Sequence, residues 1–160
     1  MHPNILTSSH PVVSYPDIKK CALNLLARRE HSQQELRQKL HLRNFDRNLV
    51  ESILQELANQ GLQSDQRFAE CYARMRINKG YGPVRIVLEL RQRGVADTLI
   101  DKVLSNDIDW PEIVTKIYRK KFGNKHPKNF AELSKQMRFL QYKGFTVEQL
   151  QCVTTFYNLD

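Results

Sequence analysis

The feature that most constrains this chain is an internal repeat of about fifty residues, visible when the 160-residue sequence is shifted along itself. Apolar residues of the first and second copies then coincide, and a third copy continues several of the series. The coinciding sets include Leu36 and Ile86; Leu40, Leu90 and Leu140; Val50, Ile100 and Leu150; and Ile53, Val103 and Val153. A repeat of this length favours an array of similar units, each packing mainly on its neighbours.

Each copy is predicted to contain three helices. Ser32 with Glu35 has the spacing of a capping box, and Asp46 has the position of a helix cap. In the second copy, Gly82 and Pro83 take the cap and the first helical position. No stretch shows sustained period-two alternation, so strands are not expected. The predicted helices span about 17–29, 32–43, 46–60, 65–79, 83–93, 96–105, 110–122, 129–143 and 146–157.

The fold class predicted from these patterns is all-α, with three tandem three-helix repeats forming an elongated, curved array. The predicted organisation is a flexible N-terminal arm over 1–15, followed by repeats over 16–63, 64–107 and 108–160.

The distribution of charge indicates an anionic partner. The net charge is +8 and the isoelectric point is about 9.5, which favours nucleic acid, a nucleoprotein or an acidic protein surface. In every copy the first and second predicted helices are positive in sum and the third is negative. If the repeats stack in register, one flank is basic. Sequence-specific reading of a DNA duplex is disfavoured, because the helices that follow each turn are acidic in sum.

Several classes of protein and site are disfavoured by what the sequence lacks. Cys21, Cys71 and Cys152 form no CxxC, which argues against a zinc site or a disulfide framework. Cys21 and Cys71 coincide in the repeat and are predicted to be buried. No apolar run reaches the ~18 residues of a membrane span, and the N-terminus lacks the pattern of a signal peptide, so a cytoplasmic protein is expected.

No catalytic constellation is visible either. The histidines lack metal-ligand spacing, and His31 coincides with Tyr81, which favours a packing role in a loop. No GxSxG motif and no phosphate-binding glycine loop occurs. We therefore expect a protein that is not an enzyme and that holds neither a metal nor a cofactor.

Two groups of cations are candidate contact residues. Lys116, Arg119 and Lys120 share one helical face, with Lys121 beside them, opposite an apolar face that begins at Trp110. A solvated face is the alternative for this group. The middle repeat carries a second group, in which Arg85–Glu89 and Glu89–Arg93 have the spacing of simple helical pairs; its members are Arg74, Arg76, Lys79, Arg85, Arg91 and Arg93.

Two stretches resemble the RecX family, regulators of the RecA recombinase. They are "SDQRFAECYARMRINKGYGPVRIVLELRQRG" (64–94) and "ARREHSQQELRQKL" (27–40), and the resemblance covers about residues 15–157. It implies three tandem three-helix repeats. It also implies binding in the groove of the RecA–single-stranded-DNA filament, with inhibition of ATP hydrolysis, filament extension and strand exchange.

The partners that the resemblance implies are the RecA filament and the single-stranded DNA within it, with DNA alone as a further option. No membrane partner is expected, and we expect a monomer. The candidate contact residues are the cations above together with Tyr81 of the Gly80–Pro83 segment. Two alternatives stay open: a stand-alone DNA-binding protein acting through backbone electrostatics, and a helical adaptor for an acidic protein.

Overall fold

A computed structural model describes residues 13–105 and 107–156 of the chain. These ranges contain nine α-helices and no strand. The helices are α1 (Tyr15–Leu26), α2 (Gln33–His41), α3 (Arg47–Asn59), α4 (Asp65–Asn78), α5 (Pro83–Gln92), α6 (Asp97–Leu104), α7 (Trp110–Phe122), α8 (Phe130–Lys143) and α9 (Val147–Phe156). Every predicted helix is confirmed, with differences of a few residues at the ends.

The helix ends follow from the capping residues. The Ser32 hydroxyl accepts a hydrogen bond from the Glu35 backbone N–H at 3.0 Å, and the Asp46 carboxylate accepts one from the Leu49 N–H at 3.0 Å. The start of α1 differs from the prediction because Asp17 lies inside the first turn. Its carboxylate accepts hydrogen bonds from the backbone N–H and the hydroxyl of Ser14, so the helix begins at Tyr15.

The described helices fall into two compact units that divide between Ser64 and Asp65. In the first unit, α1, α2 and α3 enclose one apolar core. The N-terminal arm predicted for 1–15 belongs to this part of the chain, and its residues 1–12 lie outside the described ones. The second unit contains two cores, one for α4–α6 and one for α7–α9, and Trp110 packs against both.

The buried positions repeat as the sequence predicts. Leu40, Leu90 and Leu140 are fully buried in their three cores. The same equivalence holds for two further buried series, which are Val50, Ile100 and Leu150, and Ile53, Val103 and Val153. The hydrophobic pattern therefore identifies the same core positions in each repeat.

The prediction that Cys71 is buried is wrong. Cys21 is buried, but Cys71, its equivalent in the second repeat, is exposed. The buried stripe of α4 runs through Phe68, Ala69 and Ala73, whereas that of α1 runs through Ile18, Cys21 and Ala22. Because consecutive helical residues are about 100° apart, this displacement carries position 71 out of the core.

The second and third repeats join where α8 ends and α5 begins. The Gly82 N–H donates to the Lys143 carbonyl at 2.8 Å, and the Val84 N–H donates to the Gly144 carbonyl at 3.0 Å. These groups have no partner within their own helices, and the positive end of one helix dipole meets the negative end of the other. Gly82 has ordinary extended backbone angles, yet a Cβ there would lie closer than 3.0 Å to the Gly144 backbone. Close approach therefore requires glycine at position 82.

Replacing Gly82 by Ala should destabilise the second unit by about 2 kcal/mol, because the added methyl group forces the two backbones apart. The change is measured by urea unfolding, followed by far-UV circular dichroism and by fluorescence of Trp110. Gly123→Ala is the matched control within the second unit: Gly123 has a φ of +77° but no neighbour within 4 Å of an added Cβ. It should lower stability by no more than about 1 kcal/mol. Equal losses in the two variants would contradict the steric explanation.

Candidate functional site

Glu89 binds two arginines of the middle repeat. Its Oε1 atom lies 2.5 Å from Nη2 of Arg76 and 3.0 Å from Nε of Arg85, and its Oε2 atom accepts a hydrogen bond from the Tyr72 hydroxyl at 3.0 Å. The side chains of Arg76 and Glu89 are each only 14% exposed. The predicted pair Arg85–Glu89 is therefore confirmed. It is part of a half-buried cluster and is not an isolated ion pair on the surface.

The environment of Glu89 stabilises its charged form. Burial is the largest single influence and opposes ionisation, but the hydrogen bonds from Arg85, Arg76 and Tyr72 together outweigh it. The pKa of Glu89 accordingly lies below its ordinary value of 4.5. Glu89 compensates the half-buried charge of Arg76, whose buried Nε atom has no hydrogen-bond partner.

Tyr81 lies among three cations at the junction of the second and third repeats. The guanidinium carbon of Arg76 is 3.8 Å from the ring centroid, Nζ of Lys143 is 4.5 Å away, and the guanidinium carbon of Arg85 is 4.9 Å away. Each distance is within the range of a cation–π interaction. Tyr81 thus connects α4, α5 and α8 electrostatically.

The other arginines of the middle repeat also have internal contacts. Nη1 of Arg93 donates to the Glu89 backbone carbonyl at 2.8 Å, and its guanidinium lies 4.5 Å from the ring centroid of Tyr72. Nε of Arg91 lies 2.7 Å from Oδ1 of Asp97, and this pair is well exposed. Arg74 is exposed on α4.

Lysines dominate a cleft formed by the end of α4, by α7 and by α8. Its volume is about 460 Å³, and its floor includes Ile77, Ile113, Ile117 and Phe139. None of the described residues that line it carries a carboxylate. We call it the lysine cleft, after its five lysines: Lys79, Lys116, Lys120, Lys121 and Lys143.

The lysine cleft draws on both predicted groups of cations. Lys116, Lys120 and Lys121 come from α7, while Lys79 comes from the middle repeat. The apolar face of α7 is confirmed at Val114 and Tyr118, which are fully buried. Ile113 and Ile117, predicted on the same face opposite the lysines, instead line the cleft beside them. Arg119 is exposed but does not line the cleft.

Sequence reasoning missed Lys143 as a candidate. It coincides with Arg93 in the fifty-residue repeat, and that equivalence was the signal available. Only the approach of α8 to α4 and α7 brings it into the cleft.

A second depression was also missed. It has a volume of about 760 Å³ and lies along α5 and the end of α8. Val84, Leu88 and Tyr142 on its walls are 57%, 56% and 75% exposed. Val84 and Leu88 are four residues apart, so their side chains share one face of α5.

The histidine, cysteine and carboxylate side chains do not form a metal site among the described residues. His31 is buried, with Nδ1 3.0 Å from the Arg29 carbonyl oxygen, and burial lowers its pKa. Its predicted packing role is confirmed. Among the described residues, no group of three or more His, Cys, Asp or Glu side chains is arranged to hold a metal ion. None of the described helices has the length and apolar composition needed to cross a membrane.

Comparison with protein families identifies three successive matches. Residues 19–57 match the first three-helix domain of RecX, residues 64–104 the second, and residues 107–153 the third. The chain belongs to the RecX family. Each matched RecX domain contains three of the helices described above, so the three-repeat fold is established.

Relatives of this RecX-family chain are similar over most of its length. Regulatory protein RecX of Halorhodospira halophila is 45% identical over 135 residues, which cover 84% of each chain. Regulatory protein RecX of Pseudomonas entomophila is 40% identical over 134 residues, covering 83% of this chain and 86% of the relative. That of Legionella pneumophila strain Corby is 43% identical over 125 residues, covering 78% and 83%.

Solved RecX structures share the fold. The crystal structure of RecX from Lactobacillus salivarius has a TM-score of 0.74 at 19% identity, covering 91% of this chain and 97% of the other. A second crystal structure of regulatory protein RecX has a TM-score of 0.70 at 24% identity, covering 88% and 73%.

Replacing Glu89 by Gln should lower the free energy of unfolding by about 2 kcal/mol at neutral pH, because half-buried Arg76 then lacks a counter-charge. Glu89 has a lowered pKa in the folded state. Its contribution is therefore present above its ordinary pKa of 4.5 and is lost as the pH falls through the folded-state value. The difference between wild type and variant should shrink below about pH 4.5. Urea unfolding at several pH values, followed by Trp110 fluorescence, measures it.

Asp97→Asn is the control for Glu89→Gln, because it breaks an arginine–carboxylate pair that is exposed to solvent. Solvent screens that pair, so little change in stability is expected at any pH. If Glu89→Gln were as mild as Asp97→Asn, the cluster around Glu89 would not stabilise the second unit.

Proposed function

We propose that this chain regulates the RecA recombinase by binding in the groove of the RecA–single-stranded-DNA filament. Binding inhibits ATP hydrolysis, filament extension and strand exchange. The observation that carries the proposal is the succession of three RecX domains along one chain, together with relatives that are named regulatory proteins. The protein acts in the cytoplasm as a monomeric regulator, without catalysis and without a cofactor.

The presence of three similar units in one chain supports this mode of action. The repeats are proposed to span 16–63, 64–107 and 108–160, and each contributes basic helices. When several weak contacts belong to one chain, binding of the first raises the effective concentration of the others. A filament presents the same surfaces repeatedly, so a chain of repeats can bind it strongly without one dominant site.

The contacts of the candidate cations indicate two roles: some stabilise the fold, and others contact the filament. Tyr81, Arg76 and Arg85 maintain the junction between the second and third repeats, because the Tyr81 ring also contacts Lys143 and Arg85 also contacts the Tyr142 ring. Arg93 stabilises the second repeat itself, through the Glu89 carbonyl and the Tyr72 ring. The exposed cations make the contacts with the filament, and Arg91 can join them if it leaves Asp97. The proposed contact residues are Arg74, Lys79, Lys116, Arg119, Lys120 and Lys121.

Charge reversal on α7 tests the proposal. The variant Lys116→Glu, Arg119→Glu, Lys120→Glu should abolish inhibition of RecA, because it places three negative charges where the filament presents phosphate and carboxylate groups. The measurement is the rate of ATP hydrolysis by RecA on single-stranded DNA, titrated with substoichiometric amounts of the protein. Wild-type inhibition should weaken steeply with added salt.

The matched control is Lys125→Glu, Lys128→Glu, Lys135→Glu. It changes the net charge equally within the same repeat, at exposed positions that do not line the lysine cleft. This control should retain inhibition, and circular dichroism should show the same helicity in both variants. If the two variants inhibited RecA equally, the cations of α7 would have no specific role in inhibition. If the wild-type protein had no effect on RecA, the proposed function would be wrong.

A further inference from the structure

The apolar depression along α5 is not explained by the stability of the fold. Val84 and Leu88 on its wall are each more than half exposed and share one face of the helix. On another face, α5 already buries Ile86 and Leu90 in the core of its repeat, so the helix is apolar on two sides. Exposed apolar side chains that stand together beside a depression are typical of a surface that contacts another molecule.

The fifty-residue repeat provides an internal comparison for these two exposed positions. The equivalent residues are Gln34 and Gln38 in α2, and Ser134 and Arg138 in α8. All four are polar, although α2 and α8 pack through buried leucines equivalent to that of α5. Polar residues at both positions are therefore compatible with the fold. The valine and leucine of the middle repeat serve something other than the packing of its core.

The second wall of the depression is held in place by the junction of the two repeats. Tyr142 of α8 is 75% exposed and lines the same depression. The hydrogen bond from the Val84 N–H to the Gly144 carbonyl, at 3.0 Å, joins the start of α5 to the end of α8. The guanidinium carbon of Arg85 lies 5.7 Å from the centroid of the Tyr142 ring. Because these contacts fix both walls in advance, binding of a partner requires little reordering.

The shape of the depression favours a helix as its occupant. Residues 13–105 and 107–156 contain no strand, so an extended peptide finds no sheet edge to pair with there. A helix satisfies its own backbone hydrogen bonds and can place an apolar stripe between two other helices. The lining residues from Val84 to Arg91 span two turns of α5, about 10 Å. That length matches apolar side chains at positions i, i+4 and i+7 of a partner helix, and the volume of about 760 Å³ accommodates them.

The charges around the depression favour an acidic partner. Arg91 lines one end, and its ion pair with Asp97 is exposed to solvent and therefore weak. Glu89, the carboxylate on the wall, already binds two arginines. On α8, exposed Arg138 is one turn before Tyr142, so the two side chains share a face. A helix with carboxylates beside its apolar stripe complements these cations.

Two possible occupants from this chain fit less well. A second copy carries the same net charge of +8, which opposes association of the two copies. The segment 1–12, which lies outside the described residues, contains neither aspartate nor glutamate and so offers no carboxylate side chain to the arginines. A helix of another protein is the occupant that fits both the apolar walls and the charges.

We propose that the apolar depression along α5 binds an acidic amphipathic helix of a second protein. Val84, Leu88 and Tyr142 contact the apolar stripe of that helix, and Arg91 and Arg138 contact its carboxylates. This inference goes beyond the proposed function, which assigns filament binding chiefly to cations that do not line this depression. It is tested in the absence of RecA, so the two can fail separately.

The first experiment measures binding of a labelled, end-capped peptide to the full-length chain by fluorescence anisotropy. The peptide has about 18 residues, with leucines at i, i+4, i+7 and i+11, glutamates on either side of that stripe and alanine elsewhere. The variant Val84→Gln, Leu88→Gln gives α5 the two residues that α2 has at these positions. Its urea unfolding midpoint should be no lower than that of wild type, and it should bind the peptide at least about tenfold more weakly, because two apolar contacts are lost.

Phe130→Gln, Val147→Gln is the matched control, since it removes two exposed apolar side chains of the same unit that do not line the depression. It should bind the peptide as tightly as wild type does. Equal weakening in the two variants would overturn the proposal, because the peptide would then be adsorbing to any exposed apolar side chain.

The second experiment tests the charge of the partner. A peptide with lysine at every glutamate position keeps the leucine stripe, and it should bind wild type at least about tenfold more weakly at about 0.05 M salt. The difference should narrow as salt is added. If both peptides bound equally, the assignment to an acidic helix would be wrong.

A pair of variants distinguishes the rim of the depression from the net charge of the chain. Arg91→Gln, Arg138→Gln should reduce the preference for the glutamate peptide, whereas Lys125→Gln, Lys128→Gln removes equal charge outside the depression and should retain it. An equal reduction in both variants would contradict the proposed role of the two arginines.

Two further results would overturn the proposal in favour of an occupant from this chain. If wild type self-associated in sedimentation equilibrium and Val84→Gln, Leu88→Gln did not, the depression would bind a second copy. If Ile5→Gln, Leu6→Gln in the full-length chain tightened binding of the glutamate peptide, the segment 1–12 would be the occupant.

Discussion

The hydrogen bonds between the start of α5 and the end of α8 are the interaction on which the arrangement of the second unit depends. The N–H groups of Gly82 and Val84 donate to the carbonyls of Lys143 and Gly144, so two helix ends satisfy each other. Glycine at position 82 permits this approach because a side chain there would overlap with Gly144. The contact brings Lys143 beside Tyr81 and, with it, beside the end of α4.

Both candidate surfaces of the second unit follow from that contact. On one side, Lys143 joins Lys79 and the lysines of α7 to form the lysine cleft. On the other, Gly144 and Tyr142 border the apolar depression along α5. Tyr81 lies between them, surrounded by Arg76, Arg85 and Lys143. Both depressions of the second unit therefore border the junction of the second and third repeats.

The segment 79–95 shows how cations of one short stretch acquire different roles. Arg76, just before it, and Arg85 within it converge on Glu89, where partial burial makes an unpaired charge unfavourable. Lys79 ends in a cleft without carboxylates, where its charge stays available to a partner. Each of these cations contributes one positive charge to the net charge of +8. Net charge indicates the kind of partner, and local pairing decides which residues can contact it.

Much of the fold could be predicted from the sequence because its signals are local. Apolar residues at helical spacing, caps such as Ser32 and Asp46, and the fifty-residue repeat place the helices and their cores. The prediction for Cys71 was wrong because the repeat preserves which helix packs but not its rotation about its own axis. The buried face of α4 includes Ala69 and Ala73, whose equivalents in α1, Lys19 and Leu23, lie outside the core. A shared register alone cannot report such a rotation.

The sequence by itself determined the helices, the repeat and most buried positions, since hydrophobic periodicity and capping act over a few residues. Only the tertiary structure decided which cations meet. Lys79, Lys116 and Lys143 are far apart along the chain, and their convergence depends on how α4, α7 and α8 pack. The pairing of Arg76 with Glu89 likewise depends on the approach of α4 to α5. Apart from helical neighbours such as Arg85 and Glu89, charged residues meet according to their distance in space, which local sequence patterns do not encode.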